Sequence, residues 1–213
     1  MILPRNTVVL SIFLIFLNIN VLYAEDKLDA LSEYRSGRFA SAMNICKVEI
    51  TENPQNLESH VVLCWSLLKL SRHNEALQYA AAAQAISRYD VRVIEILGEI
   101  AYQQGRNKDA MQYFQEYINL APDGQRVDVV FYYEGEIFIR LSRFRHADIA
   151  LTTALHYTPQ NALWWTRLGW ARENAGDVAE AILAYEKALS LNPDSSDALR
   201  GRDRVKSAIN QRN

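Results

Sequence analysis

Ala162–Ser195 reads ALWWTRLGWARENAGDVAEAILAYEKALSLNPDS. Trp165, Leu168 and Gly169 lie on one side of the Gly176-Asp177 pair, and Ala181, Tyr185, Ala188 and Pro193 on the other. Apolar residues recur on each side at i, i+3, i+4 and i+7, the spacing of an amphipathic helix. The glycine predicts a turn between two helices. Pro193 closes the second helix, because proline cannot continue one. The same order of large, small and proline positions returns upstream at intervals of about 34 residues, the period of a stacked helix–turn–helix unit.

Four further copies share this phase. The unit from Asp128 to Asn161 carries Phe131, Gly135, Phe138, Ala147, Leu151, Ala154 and Pro159. The unit starting at Val91 carries Leu97, Gly98, Gly105, Ala110, Phe114 and Pro122. The unit starting at Leu57 carries Leu63, Cys64, Leu67, Ala76, Ala80 and Ala83, and the first, near Tyr23, carries Ala30, Gly37, Ala42, Cys46 and Pro54. The pattern resembles the tetratricopeptide repeat, in which small residues let two helices approach and large ones fill the space around them. The resemblance covers about residues 25–195. It implies an all-α fold, a right-handed α-solenoid of antiparallel helix pairs, with repeats at about 25–56, 57–90, 91–127, 128–161 and 162–195. Residues 196–210 then read as the capping helix that a solenoid end requires, with Arg200, Arg202, Arg204 and Lys206 on its solvated face.

Several residues depart from the pattern. Arg172 stands where an aromatic is usual, Glu134 where a large apolar residue is usual, and Ser142 in place of the turn glycine. Tyr117 is oversized for its small-residue position. The third unit is about three residues longer than the others. The extra residues fall in Asp123–Val127 and read as a longer surface loop.

Composition narrows the function classes. The chain has 213 residues, a formal charge of -2, 49% hydrophobic and 23% charged residues, ordinary values for a folded soluble protein. The missing basic footprint argues against nucleic acid as a partner. No HExxH, CxxC, GxSxG or glycine-rich phosphate loop occurs, and His60, His73, His146 and His156 have no partners at metal-ligand spacing. The reading is therefore of a non-enzyme with no cofactor and no metal.

The first 24 residues differ from the rest. Arg5 is the one charge before Glu25, Val8–Leu17 is an apolar run broken by Ser11, and Ala24 offers a small residue at a cleavage point. This is the layout of a signal peptide, whose removal leaves residues 25–213 in the periplasm or otherwise exported. The alternative is an uncleaved anchor in the inner membrane; Asn18 and Asn20 interrupt the run short of the roughly 20 apolar residues a span needs. Cys46 and Cys64 fall at the same level on adjacent antiparallel helices. They are open to two readings, a disulfide formed in an oxidising compartment or two buried thiols at core positions.

The resemblance also implies a concave groove lined by the first helix of each repeat. The candidate binding residues are Tyr34 and Arg35, then Trp65 and Lys69, Glu99 and Tyr102, Tyr132, Glu136 and Arg140, and finally Trp170 and Glu173. Aromatic residues at such positions suit an interface core. One subclass grips a peptide's terminal carboxylate through an asparagine; the matching positions here are Leu31, Trp65, Glu99, Glu136 and Trp170, so that grip is not expected. The function implied is an exported scaffold that binds a protein or peptide segment within an envelope assembly, secretion or transport system. Two alternatives stand beside it: a carrier of a small apolar ligand held by the concave aromatics, and a homo-oligomer assembled through its end repeats.

Overall fold

Five pairs of antiparallel helices and one terminal helix make up residues 29–211, the part of the chain that the computed structural model describes. The segment 1–24 lies outside these residues. The pairs are α1 (Ala30–Arg35) with α2 (Phe39–Glu52), α3 (Leu57–Lys69) with α4 (His73–Ile86), α5 (Val91–Gln103) with α6 (Asn107–Leu120), α7 (Val127–Arg140) with α8 (Phe144–Tyr157), and α9 (Ala162–Ala175) with α10 (Val178–Leu191). The last helix is α11 (Ser196–Asn210). Each helix packs on its neighbours in the chain, giving the all-helical solenoid that the repeat implies. Among the described residues no helix is long and apolar enough to cross a membrane.

Side-chain caps start most of the first helices. Asp29 accepts from the Ser32 N–H (2.8 Å), Asn56 from Ser59 (3.3 Å), Asp90 from Arg92 (2.9 Å) and Asn161 from Trp164 (3.2 Å); Ser195 does the same for α11 through Ala198 (3.4 Å). Each bond satisfies a donor that the helix itself leaves free. The second helices start instead from one repeated turn. The N–H groups of Arg38, Arg72, Arg106, Arg143 and Asp177 donate to the carbonyls of Glu33, Leu67, Ala101, Phe138 and Arg172 at 2.8–2.9 Å. That closure needs a left-handed residue just before the donor. Gly37, Gly105 and Gly176 supply it, and Ser71 and Ser142 adopt the same conformation at φ +58° and +55°.

Small residues face large ones inside each pair. A Cβ on Gly135 would fall 2.6 Å from Leu151 Cγ, one on Gly169 2.7 Å from Tyr185 Cδ1, and one on Gly98 closer still to the Phe114 ring. In the second pair the same two stations hold Cys64 and Ala80, and in the first Ala30 and Cys46, all buried. The volume given up on one helix is thus taken by its partner, as close packing demands. The core runs along the stack as a strip, from Leu63, Leu67 and Ile100 through Phe114 and Ile137 to Leu151 and Leu168, and ends at Tyr185 and Val205.

The departures from the pattern find physical reasons here. The buried Tyr117 turns its hydroxyl under the longer loop, where it accepts the Arg126 N–H at 3.0 Å. Gly124 lies directly on that hydroxyl, where a side chain would overlap it. The oversized residue and the added loop therefore accommodate one another. Arg172 reaches α8 and donates to Asp148 at 2.9 Å. Glu134 is 8% exposed, and burial alone pushes its carboxyl up to about 7. The disulfide reading of Cys46 and Cys64 does not hold in the structure: both are free, buried thiols. Cys64 Sγ donates to the Ala76 carbonyl of its own repeat at 3.6 Å.

Candidate functional site

Successive first helices are tied by arginines that reach back to glutamates. Arg92 meets Glu58 at 2.7 Å; Arg126 meets Glu95 at 2.7 Å and Glu99 at 3.9 Å. Arg167 holds Glu136 in a fork at 2.5 and 2.9 Å. Arg204 on α11 holds Glu173 at 2.5 and 2.6 Å. It is thus not part of a purely solvated face: it links the terminal helix to α9. The last three pairs each span 31 residues. That spacing is present in the sequence and would have located Arg126 and Arg167, which the reading by repeat passed over, and would have given Arg204 its partner. Glu95 is fully buried. Burial pushes its carboxyl up, and the Arg126 charge beside it works in the opposite direction.

The middle of this face is a packed aromatic block. Tyr102 and Glu136 are only 8% and 7% exposed, and the Tyr102 hydroxyl donates to Glu136 at 3.5 Å. The Arg140 guanidinium lies 3.6 Å from the centre of the Tyr102 ring and donates to the Tyr102 carbonyl at 2.8 Å. Tyr132 stacks on Trp164 with ring centres 5.0 Å apart. Tyr133 joins the Phe114 and Tyr102 rings at 5.7 and 4.9 Å. Burial raises the pKa of Tyr102, Tyr132 and Tyr133, so their hydroxyls stay protonated at neutral pH. The candidates Tyr102, Tyr132, Glu136 and Arg140 are therefore brought together, but largely in contact with each other.

Open surface lies on either side of the block. Toward the N-terminal end, Tyr34 packs 5.7 Å from Trp65, while Arg35 and Lys69 are exposed. A cleft of about 440 Å³ runs from Trp65 past Tyr89 and Arg92 to Tyr117, Gln125 and Arg126. Toward the other end, a cleft of about 260 Å³ lies among Leu163, Thr166, Trp170 and Tyr185, with Arg200 and Arg204 at its edge. Leu163 is 56% and Trp170 36% exposed, and the Arg204 guanidinium sits 5.3 Å over the Trp170 ring. Glu173 is spent on Arg204 and on the Tyr185 hydroxyl, which donates to it at 2.7 Å. Apolar patches edged by arginine donors can bind a chain segment. Among the described residues no group of three metal-ligating side chains forms, and burial pushes both thiols up to about 12, far from the nucleophilic thiolate.

A stack of helix pairs with a grooved face defines the class of tetratricopeptide repeat proteins. The chain matches the tetratricopeptide repeat family over residues 63–125 and 132–196, and it belongs to that family. It is 31% identical over 98 residues to the Hsp70-Hsp90 organizing protein of Triticum aestivum, a stretch that is 46% of this chain and 16% of that protein. The chain spans less than a fifth of the length of the relatives it matches. Among solved structures it is similar to PilW, a type IV pilus biogenesis factor, with a TM-score of 0.74 and 17% identity over 85% of this chain and 83% of that one. It is also similar to PilF of Pseudomonas aeruginosa, with a TM-score of 0.73 and 16% identity over 86% and 82%. At these identities the likeness is one of fold.

Proposed function

We propose that the chain is a non-enzymatic, exported scaffold that holds a segment of another protein against the two open stretches of its concave face, within an envelope assembly, secretion or transport system. The observation that carries this reading is the exposure of Leu163 and Trp170 beside arginines on the inner face, where apolar surface is costly to leave in water. Both clefts are bordered by exposed residues, Tyr89 at one and Leu163 at the other. Such open clefts suit a chain segment better than an enclosed small molecule. The fold it shares with PilW and PilF is compatible with envelope work but does not specify it.

The test is site-specific photo-crosslinking in the native host. A crosslinker at Leu163 or Trp170 is expected to trap one discrete partner. The same group at Ile149 or Leu183, exposed apolar residues on the second helices α8 and α10, is expected to trap none. Partner capture from Ile149 and Leu183 alone would move the interface off the groove. The export component has its own readout: the intact mass of the mature protein is expected to begin at Glu25, and a chain that retains Met1 overturns it.

A further inference from the structure

We propose that the turns inside the helix pairs form a docking edge for a membrane surface that carries anionic phospholipid. This edge is distinct from the groove and does not depend on the groove reading. The turns read RSGR at Arg35–Arg38, KLSR at Lys69–Arg72, RNK at Arg106–Lys108 and RLSRFR at Arg140–Arg145. Each carries at least two cations and no acid, although the whole chain has a formal charge of -2. The loops that join one pair to the next, at the opposite edge, carry no excess of cations: Arg88 is matched in number by Asp90 and Arg126 by Asp123, and Asp194 has no counterpart. The turns also touch one another. Gln104 donates to Asn74 at 3.2 Å, joining the third turn to the start of α4. Arg140 donates to Asn107 at 3.3 Å, joining the fourth turn to the third. The basic turns therefore stand in one row along the stack.

Helix stability does not account for this placement. Arg38, Arg72, Arg106 and Arg143 are the N-caps of α2, α4, α6 and α8, and none makes a side-chain cap bond. A helix start is the positive end of its dipole, where Asp, Asn or Ser stabilises and a cation does not. Arg38, Arg72 and Arg106 are offset by ion pairs to Glu33, Glu75 and Asp109. The fourth turn has no such offset. Arg143 and Arg145 are exposed and make no ion pair among the described residues, and α8 has no acid in its first turn. Between Arg140 and Arg143 stands Leu141, 52% exposed. An apolar tip flanked by arginines suits a lipid interface, where the tip enters the headgroup layer and the cations meet phosphates. One cation near an anionic surface raises partition only about fivefold, so a row that meets a broad surface at several points gains most.

The experiment is flotation of the protein, as purified from its host, with vesicles of phosphatidylcholine alone or of an equal mixture of phosphatidylcholine and phosphatidylglycerol. The readout is the ratio of the two partition coefficients, in which any attachment through the apolar run Val8–Leu17 cancels. The ratio is expected to exceed about tenfold at low salt and to fall toward unity as salt screens the charges. A ratio near unity at low salt overturns the proposal and leaves the groove reading standing. Binding to soluble polyglutamate without binding to the anionic vesicles would assign the edge to an acidic protein, and overturns it as well.

Two double variants of equal charge change locate the effect, each checked for folding by circular dichroism. Arg143→Gln with Arg145→Gln removes two exposed cations of the fourth turn and is expected to lower the ratio at least about fivefold. Arg88→Gln with Lys187→Gln removes two exposed cations away from the turns and is expected to change it by less than about twofold. Leu141→Asn is expected to weaken binding to the mixed vesicles with the charge unchanged. Equal losses from the two double variants would mean that the vesicles sense net charge alone, and would remove the turn edge as the docking site.

Discussion

Glu134 shows what one ionisable group does at a position built for an apolar one. Burial holds its carboxyl at about 7, above the ordinary 4.5, so between those two pH values the folded state keeps a proton that the unfolded chain has released. Stability is full below the unfolded value, falls as pH rises between the two, and is flat above about 7. The difference corresponds to about 3 kcal/mol at alkaline pH. Glu134→Gln, which keeps the shape and removes the charge, is expected to be more stable than the parent at pH 8 and no different at pH 4 in chemical denaturation. A constant offset across pH would show that burial of Glu134 is not the cause. Glu33 acts in the opposite direction, because its bonds to Arg38 hold its carboxyl at about 2. Its contribution is present above the unfolded value and lost only as pH falls toward 2. Ser142 carries a smaller cost of another kind. It holds a left-handed conformation at φ +55° that costs a residue with a side chain roughly 1 kcal/mol. Ser142→Gly is expected to raise the midpoint of thermal unfolding, and a fall would mean that the serine has a compensating role.

At the level of the helix pair, the packing is an exchange of volume between two stations. Gly98→Ala pushes a methyl into the Phe114 ring and is expected to cost about 1–3 kcal/mol. Phe114→Ala leaves a cavity and is expected to cost about 3–5 kcal/mol. Gly98→Cys together with Phe114→Ala copies the Cys64 and Ala80 pair of the preceding repeat. Measured against Gly98→Cys alone and Phe114→Ala alone, this double variant is expected to recover part of the single losses, with a coupling of about 0.5–3 kcal/mol in a double-mutant cycle. Additive losses would mean that the stations do not communicate. This layer of the fold was legible in the sequence, because glycine, alanine and proline recur in phase and each has a steric reason. Three of the ion pairs were not, because they join residues 31 apart across a repeat of about 34 residues, so a reading in one register never sets those partners side by side; Arg92 and Glu58, 34 apart, do share a register position. For the same reason Glu136 and Glu173 looked like free groove charges, while the structure has them held by Arg167 and Arg204. Tyr102 was assigned to the surface from its position alone, and the Arg140 side chain that covers it comes from the next repeat.

For the whole molecule, stability is shared along one dimension. Each inner repeat has neighbours on both sides, whereas α1 is a six-residue helix at one end of the described stack and α11 closes the other. Native-state hydrogen exchange is expected to be slowest in α5–α8 and fastest in α1 and α11, grading between them. Uniform protection along the stack would instead mean that the repeats unfold as one unit.

The arginine rungs have a mechanical consequence. Each joins two neighbouring first helices, whereas among the described residues the successive second helices share one such pair, Lys47–Glu75 at 2.7 Å, so the rungs are expected to pull mainly on the face that carries them. The rungs differ in exposure: Arg92–Glu58 and Arg204–Glu173 stand further into solvent than Arg167–Glu136. Glu95 and Glu136, the acids of the two central rungs, are the least exposed, so added salt is expected to slacken the end rungs before the central ones. If the rungs hold the curvature, ionic strength sets it, and it is expected to relax from the ends inward. Small-angle scattering in rising salt is expected to record a growing radius of gyration at constant helix content; an unchanged radius would assign the curvature to side-chain packing alone.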